Sequence, residues 1–163
     1  MYFIRTIMNS AEKLYECLLE EDALVVEFTE LLGSETVALT ERQSFQVLNA
    51  ITESKHGIAS RLQALSERRD ALLAELDLPP GHAGTTQAAE QDPRIAQVWR
   101  QLLDRCAAAA GINDRNGALI DMHLRYTEEA LGALQALTKR ANLYDANGRS
   151  RQGGGSGKTI VAS

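Results

Sequence analysis

Leu48-Asn-Ala-Ile51-Thr-Glu-Ser-Lys55-His-Gly-Ile58-Ala-Ser-Arg-Leu62-Gln-Ala-Leu65-Ser-Glu-Arg-Arg69-Asp-Ala-Leu72-Leu-Ala-Glu-Leu76 is the stretch that decides the fold. Positions 48, 51, 55, 58, 62, 65, 69, 72 and 76 alternate steps of three and four without a slip. On a helix such positions form one stripe, and a stripe sustained over successive heptads is a coiled-coil seam. Lys55 and Arg69 fall on the seam, where their aliphatic stems are expected to lie along it with the charge kept in water. Thr40 followed by Gln43 reads as a capping box. The helix expected from Thr40 to Leu78 would be about 55–60 Å long at 1.5 Å per residue. A rod of this kind cannot bury its seam alone and requires partner helices.

Both flanks supply them. Upstream, Asn9 and Ser10 are N-cap residues, and Leu14, Leu18, Val25, Phe28 and Leu32 recur at helical spacing, interrupted at Glu21. Gly33-Ser34 reads as a terminator, giving a first helix over about residues 10–32. Downstream, Pro79-Pro80-Gly81 stops the second helix. Residues 81–91 carry no large apolar side chain, so 79–92 is expected to be a mobile loop. Asp92-Pro93 is a strong helix start. The third helix is expected over 93–139, with Trp99, Leu102, Cys106, Ala109, Asn113, Asn116, Ile120, His123, Thr127, Ala130, Leu134 and Leu137 on its seam. Asn116-Gly117 suits a hairpin, but both flanks keep helical periodicity, and polar residues at core positions fix register at a cost in stability.

The expected fold is thus all-α: three long helices in an elongated antiparallel coiled-coil-like bundle over residues 1–140, with a flexible basic Gly-rich tail over 141–163. The tail contains Gly153-Gly-Gly-Ser-Gly157, and between residues 139 and 158 Lys139, Arg140, Arg149, Arg151 and Lys158 stand against a lone Asp145, in a chain of net charge −5. The three prolines, Pro79, Pro80 and Pro93, sit in one short window, which argues against an all-β domain with its regular turns.

Composition excludes further classes. With pI near 5.2 and no basic-aromatic pattern, nucleic acid is not an expected partner. Cys17 and Cys106 are too few and too far apart for a disulfide framework, which fits a reduced, cytosolic compartment, and both fall on apolar stripes as packing residues. The segment Met1–Met8 has neither the h-region nor the cleavage site of a secretion signal; Met8 is an alternative start. No apolar run approaches the roughly 20 residues that span a bilayer.

Catalytic constellations also fail. Gly153-Gly-Gly-Ser-Gly157-Lys158-Thr159 imitates a phosphate loop, but position 152 is Gln where the motif needs glycine, and only four residues follow Thr159. Glu53-x-x-His56 has di-iron spacing, but no second copy exists, since neither His82 nor His123 has a Glu three positions before it. Glu53 and His56 therefore read as a solvated pair, His82 as a loop residue and His123 as a core or interface histidine. No catalytic residues, metal site or cofactor are expected.

The end of the third helix is unusually apolar. Leu119, Ile120, Leu124, Tyr126, Leu131, Leu134 and Leu137 spread over roughly 160° of its circumference, opposite Asp121, Arg125, Glu128, Gln135 and Lys139. Two readings stand: a seam shared between two neighbouring helices, or a face that receives an amphipathic helix from a partner. Burial of five Leu or Ile side chains there would supply about 7–15 kcal/mol gross, much of it offset by ordering and association costs.

Four stretches, in order, carry a resemblance. Val98-Trp-Arg-Gln-Leu102, Ile112-Asn113-Asp-Arg-Asn116-Gly117-Ala-Leu-Ile120, Glu129-Ala-Leu131-x-x-Leu134 and Leu143-Tyr144-Asp-Ala-Asn-Gly148 resemble the FlgN family of flagellar export chaperones, and the Gly157-Lys-Thr-Ile160 end is similar to that family's tail. The resemblance implies a cytoplasmic, non-catalytic chaperone of the flagellar type III export system. It implies binding to the C-terminal helical segments of the hook–filament junction proteins FlgK and FlgL, and their delivery to the membrane export gate without insertion of the chaperone itself. The client face would comprise Leu119, Ile120, His123, Leu124, Tyr126, Leu131, Leu134 and Leu137; Asn113, Asn116 and Gly117 are the motif positions; Tyr144 and Gly148 would dock to the gate. The rival from another class is a structural, self-associating coiled-coil spacer.

Overall fold

The structure, a computed structural model, describes the backbone of residues 2–149 and the side chains of residues 9–140. Four helices follow in order: α1 (Tyr2–Thr40), α2 (Phe45–Glu75), α3 (Gly81–Gln91) and α4 (Pro93–Arg149), with no strand among the described residues. The all-α expectation holds, but the count of three helices does not. The chain divides into two units, residues 1–120 and 121–163, with α4 contributing to both.

In the first unit the side-chain pairs give the helix directions. Ser10 Oγ donates to Glu75 Oε2 at 2.6 Å, Arg69 pairs with Glu21 and Lys55 with Glu35. Partner numbers fall on α2 as they rise on α1, so α1 and α2 are antiparallel. Arg94 pairs with Glu12, Arg105 with Asp22, and Asn116 with Glu35, so α4 runs in the direction of α1. Leu14, Cys17, Leu18 and Val25 of α1, Leu72 and Leu73 of α2, Ala88 of α3, and Ile95, Val98, Trp99 and Leu102 of α4 form one buried cluster. Each fully buried leucine contributes about 1.5–3 kcal/mol. Every seam position of α2 is buried or half-buried, as its periodicity predicts.

Helix boundaries depart from the sequence reading in ways that have local causes. Gly33-Ser34 does not end the first helix. Leu32 and Leu39 are both buried, so packing on either side carries the helix through the glycine, and Ser34 Oγ turns back to Glu30 O. Termination comes at Arg42, in left-handed conformation with φ 52°, where Gln43 N–H donates to Ala38 O at 2.9 Å and Arg42 N–H to Leu39 O. Thr40 is therefore the last residue of α1, its hydroxyl bonded to Thr36 O, and it does not cap α2, which starts at Phe45. The second helix likewise ends before the prolines. Asp77 takes φ 56° and Leu78 N–H closes on Leu73 O at 2.9 Å.

The segment expected to be a mobile loop contains a helix, α3, which places His82 on a helix. Its small residues are what close packing requires. Gly81 adopts φ +74° and donates its N–H to Asp70 Oδ1 at 2.8 Å. A Cβ on Gly84 would lie 1.7 Å from the Pro79 carbonyl oxygen, so the approach of α3 to that carbonyl excludes any side chain. Trp99 is buried against this helix, its Nε1–H donating to Thr86 Oγ1 at 3.2 Å and its ring 5.2 Å from that of His82.

Three further expectations are corrected. Lys55 and Arg69 do not keep their charge in water: Lys55 binds Glu35, and Arg69 lies under cover beside Glu21 at 2.6 Å and over the Trp99 ring. The interruption of the α1 apolar stripe at Glu21 is thus filled by a buried ion pair. Cys17 is packed as expected, burial pushing its thiol up to about 11, but Cys106 is exposed. Finally, α4 begins at Pro93, with Asp92 Oδ1 accepting from Arg94 N–H, yet it runs to Arg149, past the expected end at 139. Residues 141–149 of the expected flexible tail are helical, and 150–163 lie outside the described residues.

Candidate functional site

The candidate site is built on α4, whose side chains change environment along its length. From Pro93 to Leu102 its seam residues Ile95, Val98, Trp99 and Leu102 are buried. From Leu103 to Ile120 only Ala109 and Asn116 are. Ile112 and Leu119 are half-buried and Ile120 is exposed.

Of the motif positions, Asn116 is the buried one. Its Nδ2 donates to Leu32 O at 3.0 Å and to Glu35 Oε2 at 2.9 Å, and its Oδ1 accepts from the Thr36 hydroxyl at 2.7 Å. Asn113 is exposed, but its Oδ1 accepts from Lys55 Nζ at 3.0 Å, and that ammonium also reaches both oxygens of Glu35. The two asparagines therefore hold α4 to α1 and α2 through one polar cluster. The sequence signalled polar seam positions but gave no sign of Glu35 and Thr36 as their partners. Gly117 is exposed, and a Cβ there would meet nothing within 4 Å.

The second unit carries the leucine face. Leu124, Leu131, Leu134 and Leu137 are 55–61% exposed and Tyr126 is 58% exposed. Spaced by seven, three and three residues, these leucines lie on one side of the helix, with His123, which is half-exposed, inside the same arc. Asp121, Arg125, Glu128, Gln135 and Lys139 occupy the opposite side, all exposed. Exposed leucines at this density are unusual on a monomer surface. Met122, also exposed, extends the apolar width by one residue that sequence reading left out. Tyr144 and Gly148 fall within the helical backbone of α4; the Tyr144 side chain lies outside the described residues.

Glu53 and His56 are both exposed, and no group of three or more His, Cys, Asp or Glu among the described residues is placed to hold a metal ion. No helix among them is long and apolar enough to cross a membrane. An all-helical scaffold that keeps a leucine stripe uncovered on one long helix fits the class of proteins that bind other helices. The family model described as FlgN protein matches residues 8–152, and the chain belongs to that family, one of flagellar export chaperones. It is similar to the Flagella synthesis protein FlgN of Proteus mirabilis, with 27% identity over 105 residues, 64% of this chain and 66% of that protein. The match thus spans just under two thirds of that relative's length. No solved structure matches the chain.

Proposed function

We propose that this protein is a cytoplasmic export chaperone that shelters the C-terminal helical segments of the hook–filament junction proteins FlgK and FlgL, prevents their premature assembly and delivers them to the flagellar type III export gate. The observation that carries this reading is the exposed face of Leu124, Leu131, Leu134 and Leu137. A client's amphipathic helix laid along that face would remove both apolar surfaces from water, and the binding energy comes from that burial alone. Tyr144 and Gly148, beyond the client face along α4, are the proposed contact with the gate.

Co-expression with a junction protein, with and without its C-terminal helical segment, tests the reading. The intact client should co-purify and the truncated one should not. Equal recovery of both would sink it. Light scattering of the chaperone without client separates it from a coiled-coil spacer, which would form a stable homo-oligomer through the same leucines.

A further inference from the structure

The hold of α4 on the α1–α2 hairpin is of two kinds. Residues 95–102 are fixed by large apolar side chains inside the main buried cluster. That cluster contains nothing of α4 beyond Leu102. Next comes Cys106-Ala-Ala-Ala-Ala110-Gly111, of which only Ala109 is buried. After Gly111 the one fully buried side chain of the first unit's α4 segment is polar, Asn116, joined to Leu32 O, Glu35 and Thr36, with Lys55 and Asn113 completing the cluster. Lifting Leu102 or Trp99 off the hairpin exposes apolar surface. Lifting residues 112–120 exchanges the hydrogen bonds of Asn116 for hydrogen bonds with water and uncovers only the half-buried Ile112 and Leu119, which is less costly. The cluster also loses little by opening, because Lys55 and Glu35 keep each other. Gly111, the residue with the lowest helix propensity after proline, stands between the two regimes.

We infer that Glu35, Lys55, Thr36, Asn113 and Asn116 form a releasable clasp: α4 opens from the hairpin over residues 112–120 as a unit while residues 95–102 stay packed. A helix deprived of its packed face is marginal in water, so opening is accompanied by local unwinding and becomes visible in amide exchange.

Hydrogen exchange followed by mass spectrometry on the full chain tests this. Amides of 112–120 should exchange at least about tenfold faster than those of 95–102. Asn116→Leu is the informative variant, since Thr36 retains Leu32 O as its acceptor and Glu35 retains Lys55. It should slow exchange over 112–120 by about tenfold and leave 95–102 unchanged. Lys55→Met, which removes the α2 arm of the clasp, should speed 112–120 selectively. Uniform protection across both segments in the wild type, or variants that shift both segments equally, would overturn the inference and leave the cluster an ordinary part of a single cooperative core.

Discussion

Ile95–Leu102 and Leu124–Leu137 are two stretches of one helix, each with an apolar stripe at helical spacing, in opposite environments. The first is buried among α1, α2 and α3, and the second stands in water. Hydrophobic periodicity thus fixes that a helix forms and which side is apolar, and says nothing about what covers that side. The difference lies in the partners. Leu14, Leu18 and Leu73 supply a cover for the first stretch, whereas the second belongs to a unit whose described side chains are almost all exposed. A packed stripe contributes to folding, and an open one leaves its apolar area in water.

That contrast can be broken by substitution. Leu73→Ala, at a fully buried position facing α3 and α4, should lower the unfolding free energy by about 2–5 kcal/mol, read from urea midpoints. The double change Leu131→Ser with Leu134→Ser should alter stability by no more than about 0.5 kcal/mol per site while weakening client binding by about 2 kcal/mol or more. Calorimetric titration with a client helix and circular dichroism on the same sample decide it: equal losses of helicity and binding would make these leucines core after all. Tyr144→Ala should leave both stability and client affinity at wild-type values and reduce secretion of the junction proteins; unimpaired motility would remove the docking role.

The smallest effect sharpens the core side of the comparison. Burial pushes the Glu21 carboxyl above its ordinary 4.5, although Arg69 pulls it down. The folded state therefore binds this proton more tightly than the unfolded chain. Its contribution to stability declines as pH rises from about 4.5 through the raised folded value, and returns on acidification. The stability difference between wild type and Glu21→Gln should carry this slope. A flat difference across that range would mean that Arg69 fully offsets the burial of Glu21.

The α2 stripe from Leu48 to Leu76 was legible residue by residue, because strict alternation over many turns has no competing reading. The all-helical class and the apolar arc of α4 followed from the same signal. What was not legible depended on partners distant in sequence. Gly33 looked like a stop and is helical because Leu32 and Leu39 are packed on either side. Gly81–Gln91 looked like a loop because close packing against Pro79 demands the small residues that loops also favour. Lys55 and Arg69 looked like surface charges because nothing local announces Glu35 and Glu21, twenty and forty-eight positions away. Phe45, the most exposed large apolar side chain described at 77%, lies off the α2 alternation, which would place Ser44 there.

Trp99 is the chain's single tryptophan, and it is enclosed by Arg69, His82 and Thr86. Intrinsic fluorescence is therefore a built-in reporter of one place only, the seat of α3 on the scaffold. Its emission will follow denaturation of the first unit without any label. In a titration with a client helix, a steady signal would mean that the scaffold receives its guest unchanged. A shift would mean that occupancy has been felt as far back as the start of α4.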